Sequence, residues 1–275
     1  MTRPLVPTRP LVLCADDFGL SAPISSGIDT LARRARLSAV ACITNAPHWR
    51  EAAGLLRQWP ASVSSGVHLN LTEGEPASTE LRALWPVLPS LQRLLVQSQL
   101  RLLPRAALRA EVAAQIEAFR AVAGRAPDFI DGHQHVHGLP GVREGLLDQV
   151  GTMAVRSTAH VLGPAAGLKG RVIETSGGRA LGAALQAAGI VHNPVLLGAY
   201  DFQAIDYRTL MQQWLRLMPA DGALLFCHPG HAAPGDAIGA ARERELGYFD
   251  SPGFDADLAE AQVVLVPFSG RSRSG

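Results

Sequence analysis

The sequence predicts an α/β fold: an irregular (β/α) barrel, TIM-barrel-like, with parallel strands. Three observations predict it. Short apolar runs alternate with longer stretches of helical spacing along the chain. The 275 residues match the size of a single α/β barrel. Polar and titratable residues recur where the apolar runs end. In parallel α/β folds those C-terminal strand ends meet on one rim, where active sites stand.

The elements follow in order. Residues 10–15 (PLVLCA) predict a buried strand, and 23–36 a helix with a proline in its first turn. Strands are expected at 37–44 and 62–71, with a helix at 48–59 between them. Residues 72–90 read as irregular, and about 105–123 as a helix. A fourth strand covers PDFIDGH, followed by helical GVREGLLDQV and a short strand, MAVRST. A Gly-rich linker then precedes the helix RALGAALQAAG, and PVLLGAY reads as a strand. YRTLMQQWLRLM is an amphipathic helix, GALLFCHPG a strand ending in a loop, and QVVLVPF the last strand. Residues 1–275 read as one domain, with 1–9 a flexible arm and 269–275 a flexible tail.

Composition narrows the function. The net charge is +1, so the basic footprint of a nucleic-acid partner is missing. Cys14, Cys42 and Cys227 are scattered through apolar runs and are expected to be reduced core thiols. The N-terminus has neither a signal-peptide pattern nor a membrane span, so a soluble cytoplasmic protein without a membrane partner is expected. No GxGxxG or P-loop segment supports a nucleotide site, and no GxSxG elbow supports a serine hydrolase.

The polar residues at strand ends are Asp16 and Asp17, Asn45, His68 and Asn70, Asp131 and His133, Arg156 and His228. If FIDGHQHVHG is extended, Asp131, His133, His135 and His137 share one face. Taken singly, each has a plainer reading. An Asp-Asp pair caps helices, a lone His68 sits satisfied in a core, and His135 and His137 face solvent or orient other groups. Taken together, one carboxylate and two imidazoles suit a three-ligand metal site with a position open for water. Nitrogen-rich ligation favours zinc over magnesium, although magnesium remains possible. A second carboxylate beside the water suits a general base, and a histidine from another strand suits a proton donor. That set fits amide or ester hydrolysis. Arg156 suits an anionic substrate group.

Five segments also carry a resemblance. CADDFGLS (14–21), ITNAP (43–47), GVHLNLTEGEP (66–76), DFIDGHQHVHGLP (128–140) and CHPG (227–230) are similar to signature segments of the YdjC-like carbohydrate deacetylases. That family includes chitooligosaccharide deacetylases. The match runs in order from near residue 10 to RERELGYFDSP (242–252). It implies an irregular (β/α) barrel and metal-dependent removal of acetyl groups from N-acetylated sugars. By position it implies Asp17, His68 and His133 as ligands of one divalent ion, Asp16 as general base and His228 as general acid. Asn45, Asn70, Asp131, His135, His137 and Arg156 are then substrate contacts or supports of the ligands. Family members often pair, so a homodimer is possible. Cys14 stands where many relatives have Asn, and is expected to leave the chemistry unchanged. Residues 158–200 match poorly, and substrate loops are expected there. Two other readings remain: a catalytically silent carbohydrate-binding protein on the same barrel, and a metal hydrolase of a non-sugar amide.

Overall fold

The computed structural model describes residues 8–164 and 166–269. Its strands are β1 (Arg9–Phe18), β2 (Ala39–Cys42), β3 (Ser64–Leu69), β4 (Phe129–Gly132), β5 (Ala154–Val155), β6 (Leu196–Leu197), β7 (Ala223–Cys227) and β8 (Val263–Leu265). Every pairing between these strands is parallel, in the order β5-β4-β3-β2-β1-β7-β6. Near-continuous apolar strands are what a parallel sheet needs, because both its faces are covered. Leu11, Leu13, Val40, Val67, Ile130 and Leu225 are all fully buried.

The sheet curls, as expected of an irregular barrel. Isolated parallel bridges, Val155 to His192 and Val161 to Leu196, join the chain around its two edge strands. It departs from a regular eight-strand barrel at β8. That strand pairs with Arg9–Leu11 at the start of β1, while β2 pairs with Cys14–Phe18 on the same side.

The helices are α1 (Ala22–Arg33), α2 (Trp49–Ala52), α3 (Thr79–Leu84), α4 (Leu91–Gln99), α5 (Arg105–Ala123) and α6 (Arg143–Leu147). They continue as α7 (Gly167–Ile173), α8 (Arg179–Ala187), α9 (Tyr207–Leu217), α10 (Gly239–Phe249) and α11 (Pro252–Glu260). Helix α5 matches its expected span and ends on Gly124, whose left-handed φ of 69° closes the helix.

Several expectations are corrected. The expected helix at 48–59 is one α-turn followed by a 3-10 stretch from Ala53 to Gln58. The irregular segment at 72–90 holds α3, and the supposed linker after β5 holds α7 and a π-helical turn, Glu174–Gly178. Helices α4, α10 and α11 were not anticipated. The arm expected at 1–9 is not free at its end: Arg9 starts β1, and its guanidinium donates to the carbonyls of Met218 (2.6 Å) and Ala261 (2.8 Å). Residues 1–7 of that arm and 270–275 of the tail lie outside the described residues.

Candidate active site

Residues at the ends of β1 and β3 and just past β4 and β7 meet at one rim, on the floor of a cavity of about 1000 Å³. Asp16, Asp17, His68, His133, His135 and His228 all line it. The Asp pair does not follow β1 but lies within its end. The register with β2 shifts between Ala15 and Phe18, and Asp17 takes a left-handed φ of 72°. This bulge re-aims both carboxylates into the cavity. Neither caps α1, whose N-cap residue is Ser21.

The histidine segment is corrected too. It is extended only to Gly132; His133–Gly138 then turns, with Gln134 and His135 left-handed (φ 52° and 62°). The four side chains therefore do not share a face. Gly132 makes room, since a Cβ there would stand 2.8 Å from the His137 nitrogens. Among the described residues seven non-glycines have positive φ, and Asp17, Gln134, His135 and Phe202 of these line the cavity. Backbone strain thus gathers where geometry matters most.

Asp17, His68 and His133 each offer a ligand atom, all within 4.8 Å of one another. Asp17 Oδ1 lies 3.0 Å from His133 Nδ1 and 3.6 Å from His68 Nε2. The far ring nitrogens are engaged: His68 Nδ1 donates to Asp131 Oδ1 (2.6 Å), and His133 Nε2 donates to Glu73 Oε1 (3.1 Å). Carboxylate support of this kind fixes ring orientation in metal sites. Two inward imidazole nitrogens and one carboxylate oxygen fit a divalent cation. Burial lowers the affinity of His133 for a proton, but the carboxylates of Asp17 and Glu73 outweigh it and raise its pKa to about 10. A concentrated negative field therefore faces this spot.

A second acidic cluster, Cys14, Asp16 and Asp131, already holds its cation. Arg156 Nη2 lies 2.6 Å from Asp16 Oδ1, 2.6 Å from Asp131 Oδ2 and 3.2 Å from Cys14 Sγ, and Nη1 donates to Asp16 Oδ2 at 2.8 Å. Arg156 is fully buried and does not line the cavity, so it is no substrate contact. It binds Asp16 by two bonds and links it to Asp131. Burial alone would push the Asp16 carboxyl up; Arg156 and His68 hold it well below the usual carboxylate range. Cys14 touches this network, with burial pushing its thiol well up.

Asn45 and Asn70 also stand off the cavity. Asn70 Oδ1 accepts from the amides of Thr72 and Glu73, and its Nδ2 donates to the Glu73 carbonyl and to Asn45 Oδ1. Asn45 Nδ2 donates to the Glu75 carbonyl. They shape the loop that carries Glu73. His137 is buried, and its Nε2 donates to the Arg156 carbonyl at 2.9 Å. His135 meets Phe226 edge-on, ring centroids 5.1 Å apart. His228 stands beside Phe202 and Phe226, and burial holds it neutral, with its pKa lowered to about 4.

Three site residues escaped the sequence reading. Glu73 hides in a loop. Arg242 Nη2 donates to Asp17 Oδ2 at 2.7 Å and its Nε to Asp236, turning Oδ1 toward the histidines. Glu245 accepts from the Tyr200 hydroxyl and from the amide of His228 (2.5 Å), and burial raises it to about 7. Arg242 and Glu245 share a signal, their spacing of one turn on α10, whereas Glu73 has none.

Fold and site define the class: a parallel α/β barrel-type protein with a histidine–aspartate centre at the carboxyl rim of its strands. Residues 10–260 match the family model described as YdjC-like protein, so the chain belongs to the YdjC-like family. It is 34% identical over 158 residues to a human carbohydrate deacetylase, covering 55% of this chain and 48% of that one. It is 34% identical over 134 residues to a chitooligosaccharide deacetylase of Proteus mirabilis, covering 46% and 49%. The chain thus spans about half the length of the curated relatives it matches. A solved Enterococcus faecalis structure, described as a candidate cellobiose-phosphate cleavage protein, shares the fold (TM-score 0.75, 19% identity, 95% of this chain and 98% of that one).

Proposed function

We propose that the chain is a metal-dependent carbohydrate deacetylase, releasing acetate from an N-acetylated sugar of the chitooligosaccharide type or a related one. One observation carries the reading: the donor atoms of Asp17, His68 and His133 converge within 4.8 Å beside Asp16, on the floor of a cavity. The names of the relatives supply the substrate class.

Asp17, His68 and His133 would hold one divalent ion, with zinc favoured by the two nitrogens. When bound, such an ion supplies Lewis acidity, polarising the acetamide carbonyl and acidifying a water. The remaining steps belong to the chain. Asp16, kept ionised by Arg156, orients the attacking water and accepts its proton. Arg156 remains charged and links Asp16 to the Asp131–His68 pair, so the base and one ligand are held as a unit. His228 is neutral in the free site. As negative charge builds opposite it, it takes up a proton from solvent in the cavity and passes that proton to the departing amine, while Asp16 returns the water's proton to solvent. The C–N bond breaks, and acetate and the free amino sugar result.

Acetate release from N-acetylglucosamine oligomers, by protein stripped of metal and reloaded with zinc or magnesium, tests the reading. Wild type is expected to turn over, while Asp16→Asn keeps metal and loses at least 100-fold in kcat. An active Asp16→Asn protein removes the base from Asp16. No release despite bound metal favours the silent binding protein.

A further inference from the structure

Helix α4 keeps one side in the protein. Leu94 and Ser98 are fully buried, and Ser98 Oγ donates to the Pro140 carbonyl at 2.8 Å, which fixes how the helix sits. The spacing of Arg93, Val96 and Leu100 groups them on the side away from those two residues, and all three are exposed. The end of the helix is locked. Arg101 takes a left-handed φ of 58°, and the Leu102 amide reaches back to the Gln97 carbonyl at 2.8 Å. A non-glycine held left-handed stores strain. It forms a fixed tip on which Arg101 and Leu102 are both exposed.

The composition around α4 is unlike the rest of the surface. Of the twelve large apolar side chains exposed among the described residues, Leu84, Val87, Val96, Leu100 and Leu102 fall within residues 84–102, each more than half exposed. Exposed apolar groups gathered in this way mark an interaction surface. Between Glu80 and Glu111 the chain has five arginines and no acidic residue, although the whole chain is nearly neutral. Arg82 turns to the Pro76 carbonyl, and Arg109 pairs with Asp148. Arg93, Arg101 and Arg105 are exposed, and among the described residues their guanidinium groups have no carboxylate partner. Many surface arginines elsewhere, such as Arg33, Arg34 and Arg179, are paired.

We infer that this outer face of α4 docks on an anionic lipid surface. Val96, Leu100 and Leu102 enter the boundary between headgroups and acyl chains, while Arg93, Arg101 and Arg105 meet the lipid phosphates. Among the described residues no helix is long and apolar enough to cross a membrane. The expectation of no membrane partner rested on that missing span, but a helix lying in the interface needs none. Other occupants fit less well. A second copy would set the same arginines against each other, with no acid in the segment to pair them. A nucleic acid gains nothing from leucine and valine, which offer its bases no stacking surface. Protein partners favour Trp, Tyr and Arg at their strongest contacts, and under-use Leu and Val. Docking of this kind is independent of the reaction proposed for the site, and is tested without turnover.

Co-sedimentation of the full chain with vesicles is the test. Vesicles of phosphatidylcholine alone are compared with vesicles in which one-third of the lipid is phosphatidylglycerol. Each arginine near an anionic surface is worth about fivefold. Partitioning onto the anionic vesicles is therefore expected to exceed that onto neutral ones at least tenfold, and to fall as salt rises from about 0.1 M to about 0.5 M. Arg93→Gln combined with Arg101→Gln should lower it at least tenfold. Leu100→Ser combined with Leu102→Ser, which leaves the charge alone, should lower it at least fivefold. Leu217→Ser, at a half-exposed position on the opposite end of the barrel where α9 leads into β7, should leave it unchanged. All of these side chains reach solvent, so each variant is expected to keep the wild-type Tm. Absent binding, equal partitioning onto the two kinds of vesicle, or a loss with only one of the two pairs overturns the inference. A concentration-dependent dimer that the leucine pair abolishes, in place of vesicle binding, assigns the face to a second copy and overturns it too.

Discussion

Each imidazole of the cluster is steered by a carboxylate behind it, but the two carboxylates differ. Asp131 is fully buried and paired with Arg156, whereas Glu73 is half-exposed on a loop. A buried carboxylate that lost its guanidinium partner would cost about 3–5 kcal/mol, which explains why Arg156 is enclosed so completely. Glu73 carries no such structural load, so its effect on His133 can be isolated. Glu73→Gln is expected to weaken zinc binding about 10- to 100-fold with the fold intact. Competition against a chromogenic chelator reads this directly, and unchanged affinity would remove Glu73 from the site. Asp16, Asp17, His68, His133 and His228 were legible because strand ends converge. Glu73 was not, because Asn70 folds the chain back on itself through hydrogen bonds that leave no periodic trace. For Arg156 the sequence left open a substrate contact or a support of the ligands, because it marks a strand end, not whether the side chain points to solvent or to buried carboxylates such as Asp16 and Asp131.

Elements hold the site by close backbone approach. Gly27 of α1 packs on the loop after β7, where an added Cβ would stand 2.7 Å from Gly230 Cα. The amide of His231 donates to the Pro23 carbonyl at 3.3 Å, in the same contact. Gly27→Ala must push that loop outward and with it His228. The expected cost is about 1–3 kcal/mol of stability, with a fall in kcat larger than any change in KM. Equilibrium unfolding and steady-state rates measure the two; a variant matching wild type in both would show that the loop yields freely. Long elements such as α5 and α9 were legible from periodicity. The two-residue strands β5 and β6 carry almost no pattern, and α10 follows a Gly/Pro/Ala-rich run that masks its start. Yet α10 supplies Arg242 to Asp17 and Glu245 to the His228 amide.

Across the whole molecule, the buried titratable groups set how stability follows pH. His137 and His228 are lowered by burial to about 4, and burial holds His135 well below its ordinary 6.5. The unfolded chain takes up protons there first, so their contribution is present above about 6.5 and is lost as pH falls toward 4. Glu245 acts oppositely. Burial raises it to about 7, so its contribution is present below 4.5 and is lost as pH rises through 7. Three depressed histidines outweigh one raised carboxyl. The Tm of metal-free protein is therefore expected to fall as pH drops from 6.5 to 4.5, and a flat or rising Tm would contradict this. The fold class was legible at this scale because apolar runs and strand-end polar residues repeat. The break at β8 was not, since it depends on which part of β1 each neighbour occupies.

Asp17, His68 and His133 are proposed to form one cation site. Calorimetric zinc titration of wild type, Asp17→Ala, His68→Ala, His133→Ala and His135→Ala tests it most directly. One ion per wild-type chain is expected, with binding weakened at least 100-fold by each of the first three substitutions and largely kept in His135→Ala. Undiminished binding in His68→Ala, or loss only in His135→Ala, would contradict it.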